Sequence, residues 1–185
     1  MIENTFLENI PGAPLIPYYP AQILLPQGAD VKDVKVKTGA PIVQTGIDIT
    51  WGQPPCTFSD TPMKVGRNEE IYSSDNDYPN KLFTIVSIGT YRGFQILSVN
   101  LYPLQYKPKS GTIKFYETMT VEVKFGEGLK NKLYRGLKGD KSDVSTIVSN
   151  PDMIGTYEDG PEPLQTYEYI IITDDTMQST FQPLA

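Results

Sequence analysis

Histidine is missing from the 185 residues, and cysteine occurs once, at Cys56. Without an imidazole the chain has no side chain suited to general base work near neutral pH and no His ligand for a transition metal. A single thiol can form neither an internal disulfide nor a Cys-rich zinc site, and Cys56 as a nucleophile would lack a base to activate it. Cationic residues are also short, 16 Lys and Arg against 22 Asp and Glu, for a formal charge of −6. The phosphate-neutralising charge that drives nucleic-acid affinity is therefore lacking, and no nucleic-acid partner is expected. No apolar run reaches the length needed to span a bilayer, so membrane insertion is not expected either. The opening MIENTFLENI has neither the basic start nor the apolar stretch of a signal peptide.

What the chain does have is 16 Pro, 15 Gly and 12 Tyr among apolar residues that are largely Val, Ile, Leu and Phe. Such a mix favours short strands joined by turns. Residues 112–125 give the clearest pattern: Ile113, Phe115, Met119, Val121, Val123 and Phe125 alternate with polar neighbours, the period of a strand with one face inward. Residues 91–106 read as the strand before it, and Lys107-Pro108-Lys109-Ser110-Gly111 as a tight hairpin turn. Pro103 cannot donate to a ladder, which marks a bulge or a sheet edge. Residues 21–25, 31–37, 42–50 and 82–88 read as further strands, the last ended by Gly89.

That strand count predicts an all-β fold, an antiparallel β-sandwich around one core, with Val99, Leu101, Ile113, Phe115, Val121 and Val123 buried. Residues 142–148 read as a short helix capped at Ser142, with Pro151 barring its extension. Residues 1–155 are then one domain and 156–166 a linker. Residues 167–185 open with YEYIIIT, a run typical of a buried parallel strand, and Asp174-Asp175 could cap a helix near Met177. They read as the truncated start of an α/β domain.

Several motifs match a known family. Gly12-Ala13-Pro14-Leu15-Ile16-Pro17, Ile71-Tyr72-Ser73-Ser74-Asp75 with Tyr78-Pro79, Arg92-Gly93, and above all Pro103-Leu104-Gln105-Tyr106-Lys107-Pro108 with Gly111-Thr112-Ile113 and Tyr116 resemble the propeptide domain of gingipain-type cysteine peptidases. YEYIIIT is similar to the first strand of their caspase-like catalytic domain. The resemblance implies a pro-domain that helps its downstream peptidase fold and blocks the cleft until removed. It implies a secreted or cell-surface parent that is a cysteine endopeptidase, whereas this segment, lacking a His/Cys dyad, is inactive by itself.

In that family a loop of the pro-domain lies across the active site, and a basic side chain on it can fill the specificity pocket. The corresponding stretch here is about residues 52–63, long, proline-stiffened and weakly periodic. Its candidate inhibitory residues are Gln53, Pro54, Pro55, Cys56, Thr57 and Phe58, with Lys64 and Arg67 beyond. It departs from the pattern, since the positions near Cys56 and Thr57 carry no arginine. Each candidate also has a plainer reading: Lys64 and Arg67 as solvated loop charges, Cys56 as an ordinary thiol.

Asp75 and Asp77 carry oxygen ligands suited to Ca²⁺, but the glycine and distal glutamate of an EF-hand loop are missing, and an Asx-type turn before Pro79 accounts for them. No cofactor is expected. Trp51 and the tyrosines also suit a carbohydrate-binding or adhesion sandwich, the alternative from another functional class.

Overall fold

A computed structural model describes residues 4–59, 61, 63–161 and 171–182. Nine strands form three antiparallel sheets. The largest contains β1 (Phe6–Glu8), β2 (Ile16–Leu24), β6 (Phe94–Leu101) and β5 (Phe83–Tyr91), in the order β1-β2-β6-β5. A ribbon pairs β3 (Ala29–Thr38) with β9 (Met119–Glu127), and a small sheet runs β4 (Ile42–Gln44), β8 (Thr112–Phe115), β7 (Leu104–Lys107). The antiparallel sandwich expected from the sequence is what forms.

Alternation explains how the layers meet. In the ribbon, Val34 sits opposite Val123 and Val36 opposite Val121, while lysines and acids alternate with them on the solvent side. The valines pack with Ala21, Leu97, Val99 and Leu101 of the large sheet and with Leu25. The opposite face of that sheet is also covered. Leu24, beside Leu25, faces the other way and joins Phe94, Ile96, Val144, Val148 and Tyr157 in a second core. A third gathers Ile16, Tyr72, Tyr102 and Tyr106 beneath the small sheet.

One core was expected and three form, for an identifiable reason. The long strands anticipated at 91–106 and 112–125 are each broken, at Tyr102-Pro103 and at Tyr116-Glu117-Thr118. Each break lets the chain change sheets, so Ile113 and Phe115 lie half-buried in the small sheet while Val121 and Val123 lie in the ribbon. The Tyr116 amide donates to the Pro103 carbonyl (2.8 Å), joining the two breaks. The turn itself is as expected, with Lys107 opposite Thr112. Similarly β5 runs past Gly89 to Tyr91 and turns at Arg92-Gly93, both with positive φ (51° and 85°), the geometry of a two-residue hairpin matching strand twist. A Cβ on Gly93 would lie 2.3 Å from Tyr134 Cα, so glycine is required there.

The C-terminal part is anchored. Helix α2 (Lys138–Ile147) has Leu137 as its N-cap, five residues before the expected Ser142, with no side-chain cap hydrogen bond. Pro151 opens a 3-10 helix (Pro151–Thr156). Asn150 pairs its side-chain amide with Leu24, accepting from the Leu24 amide (2.8 Å) and donating to its carbonyl (2.9 Å). The Tyr157 hydroxyl donates to the Leu25 carbonyl (2.9 Å), and Gly160 donates to Gly136 (3.0 Å), so residues 157–160, read as linker, pack on the domain. Of the expected strand at 167–173, residues 167–170 lie outside the described residues. Ile171–Thr173 form no strand, and Ile172 is 94% exposed, because no described strand pairs with them. Asp174 accepts from the amides of Thr176 and Met177 ahead of α3 (Gln178–Phe181), close to the expected start.

Asp140 is the electrostatic pin. Its side chain is 3% exposed and accepts from Arg92 Nη1 (2.7 Å) and, in a fork, from Arg135 Nη2 (2.8 Å) and Nε (3.1 Å). Burial acts to raise its carboxyl, but the guanidinium hydrogen bonds and charges outweigh burial and hold it below the usual carboxylate range. A depressed carboxylate adds stability that is fully present above its unfolded value of about 4 and is lost as the pH falls through the folded value. Asp140→Asn should therefore lower stability at pH 7 by about 2 kcal/mol, with the gap to the parent closing as the pH falls through the depressed folded value. A gap independent of pH would contradict this. For the first core, Leu97→Ala should cost about 2–5 kcal/mol in urea denaturation; a loss under about 1 kcal/mol would mean the ribbon does not pack there.

Candidate functional site

Residues 53–68 leave the sandwich between Trp51-Gly52 and α1 (Glu69–Tyr72), and both legs of this excursion rest on the Gly12-Ala13-Pro14 motif. The Gly12 amide donates to Gly52 (2.9 Å), Gly52 donates to Ala13 (2.9 Å), and the Asn68 amide donates to Gly12 (2.8 Å). Gly12 adopts φ +80°, where a side chain is strained, and a Cβ on Gly52 would approach the Ile10 carbonyl to 2.4 Å. Asn68 caps α1, accepting from Glu70 and Ile71.

Above this base the loop is closed by one side chain. Gln53 Nε2 donates to the Val65 carbonyl (3.1 Å), and Gln53 Oε1 accepts the Val65 amide (3.0 Å). Trp51 Nε1 donates to the same carbonyl (2.8 Å), while Asn9 holds both peptide groups of Gln53 at 3.0 and 3.1 Å. The clamp gives a fixed neck to a loop whose described outer residues are exposed. Pro55, Cys56 and Thr57 are exposed, Phe58 is fully so at 114%, and Met63 is 72% exposed.

The sequence-read candidates thus divide. Gln53 is structural, the clamp itself; Pro54 is half-buried beside it; Pro55, Cys56, Thr57 and Phe58 form the projecting arm. The two basic residues behave differently. Arg67 is held at the base, Nε to Glu69 Oε1 at 3.2 Å and its guanidinium 5.4 Å from the Tyr72 ring centre. Lys64 is exposed, one residue outside the clamp, and has no carboxylate partner among the described residues. Tyr72 itself donates to the Ile49 carbonyl (2.7 Å), and burial, with Tyr106 adding, pushes its phenol up to about 12, so it stays a neutral donor.

Asp75 and Asp77 pair with Lys109 (2.9 Å) and Lys114 (2.7 Å), and the described residues hold no cluster of three metal-ligating side chains. Trp51 lies half-buried with its ring edge against Tyr72, a packing role. In the stretch after the ribbon, Lys130 pairs with Glu158, Arg135 with Asp140, and Lys141 with Asp159. The clamp was not read from the sequence. A glutamine after a strand end, twelve residues from its partner, gives no local signal; Trp51-Gly52 as a fixed foot is the nearest clue.

These features, a sandwich with a neck-clamped arm and no catalytic dyad, fit a binding module. The sequence matches the Propeptide_C25 family over residues 5–150. No curated protein matches it. Among solved structures, one described as a complex of Porphyromonas gingivalis RgpB pro- and mature domains shares the fold, with 18% identity over 80% of this chain and 78% of that one (TM-score 0.60). A second concerns zymogenic latency of gingipain K from Porphyromonas gingivalis, with 24% identity over 68% and 72% (TM-score 0.51). The chain belongs to the Propeptide_C25 family. It is a propeptide domain of the gingipain type, as the motifs indicated, and the carbohydrate-binding alternative is not favoured.

Gln53→Ala should speed exchange of the Val65 amide by about tenfold, the loss of roughly 1–1.5 kcal/mol of hydrogen bonding, while amides of β6 keep their protection. Equal exchange at Val65 in parent and variant would show that the neck is held by other contacts.

Proposed function

We propose that this domain precedes a cysteine endopeptidase in one polypeptide, assists its folding, and blocks its cleft with the arm at residues 54–64 until proteolysis removes it. The observation that carries the reading is the clamped neck: Gln53, Asn9 and Trp51 fix where the arm leaves the sandwich, while Phe58 and Met63 beyond it are exposed. A projecting, proline-stiffened segment loses less entropy on docking into a cleft. The RgpB structure, described as pro- and mature domains in complex, supports the choice of partner. On this reading the parent works outside the cell or on its surface.

Within this reading the pro-domain extends to Gly160, residues 161–166 connect, and 167–185 open the peptidase domain. Lys64 is the basic residue available to a specificity pocket, because Arg67 is committed to Glu69 and Tyr72.

The test is residual activity of the separately produced peptidase domain mixed with this chain. Replacing residues 54–64 with Gly and Ser should weaken inhibition by at least about a hundredfold, close to 2.7 kcal/mol. Lys64→Ala should weaken it by about tenfold and Arg67→Ala by less than threefold. Undiminished inhibition by the loop replacement would place the blocking surface elsewhere.

A further inference from the structure

The two outer strands of the large sheet differ. β1 is three residues long and runs straight into Asn9, which is tied to Gln53. β5 is nine residues long and pairs only with β6, so the peptide groups along its other side have no ladder partner among the described residues. Its sequence FTIVSIGTY contains no charged residue and no proline, two devices that ordinarily keep edge strands apart. One irregularity interrupts it, a bulge at Val86.

The faces of β5 sharpen the point. Register with β6 puts Phe83 opposite Leu101, Ile85 opposite Val99 and Ile88 opposite Leu97, on the face that meets the ribbon. Of these only Phe83 packs into that core. Ile85 and Ile88 stay 44% and 46% exposed, and Val86 58%. An apolar shelf thus lies alongside an open row of peptide groups, the combination an added strand satisfies.

We propose that a second copy of this chain sets its β5 antiparallel to the first about a two-fold axis, joining two four-stranded sheets into one and covering Ile85 and Ile88 of both. An antiparallel edge related by a two-fold is its own complement, and an uncharged strand brings no like charges together across the axis. The peptidase domain is not the occupant chosen, because the arm proposed to meet it is rooted beside β1, at the opposite edge, about 14 Å away across three strand spacings. Both surfaces can therefore be engaged together, and the choice of a second copy over the peptidase domain rests on the inhibitory reading.

Sedimentation of the 185-residue chain tests this, with amide exchange followed at low and high protein concentration. The parent should dimerise in the micromolar range, with β5 amides gaining protection as concentration rises. Ile88→Lys should raise the dimer dissociation constant at least about tenfold, and Phe58→Ala, on the arm, should leave it unchanged. Should Ile88→Lys fail to fold, Val86→Lys at the exposed bulge serves in its place. A parent that stays monomeric at several hundred micromolar would overturn the proposal. So would a dimer indifferent to the lysine, or concentration-dependent protection confined to another strand.

Discussion

The ladder between β2 and β6 is the contact on which the remaining structure depends, because it is used on both faces. Residues pair from Tyr19 with Leu101 to Leu24 with Ile96, and alternation sends their side chains to opposite sides. Ala21, Leu97 and Val99 receive the ribbon, while Leu24 and Ile96 receive α2 and the 3-10 helix. Leu24 and Leu25, neighbours in sequence, are each about 1% exposed in different cores. A slip of one residue in this register would exchange the two sets and strand both layers. The same strand carries Ile16 to the third core, under the small sheet from which Tyr106 reaches the backbone at residue 47.

Much of this was legible in the sequence where side chains alternate or a turn has its own chemistry. The hairpin around Pro108 to Gly111 and the ribbon strands follow directly from period two and from proline and glycine. The first half of β2, which contains Pro17 and Pro20, was missed: the sequence reading began the strand at Ala21. Each proline is tolerated because one flank of β2 lacks a strand at its position: β1 ends its pairing at Tyr18, short of Pro20, and β6 begins its pairing at Tyr19, beyond Pro17. The interruptions at Pro103 and Tyr116 decide which sheet each half-strand joins, a tertiary choice that local pattern does not carry. The projecting arm was visible as lost periodicity, but its clamp was not. Gln53 and Val65 meet only because Gly12 to Pro14 brings both legs together.

The family motifs acquire physical meaning in the same way. Gln105, 4% exposed, donates to the Lys81 carbonyl (2.9 Å) and accepts the Asn80 amide (3.2 Å), so a buried amide is satisfied by the chain entering β5. Tyr106 exchanges backbone bonds with Tyr78 (2.7 and 2.8 Å), tying the segment after α1 to the small sheet. Gly93 admits the backbone of Tyr134, and Arg92 beside it holds Asp140. The motifs are joints between layers.

Charge is distributed to the same end. An acidic chain could have left its cations scattered, yet those nearest the joints are spent internally: Arg92 and Arg135 on Asp140, Lys114 on Asp77, Arg67 on Glu69. Buried or half-buried pairs of this kind fix geometry more than they add stability, since desolvation offsets much of their attraction. The arm is treated oppositely. Phe58 and Met63 on it are exposed apolar side chains, and Phe58 would gain roughly 2 kcal/mol on burial in an apolar cleft. Rigidity is thus concentrated at the neck and contact potential at the tip, the division that lets a module hold a segment out without folding it back onto itself.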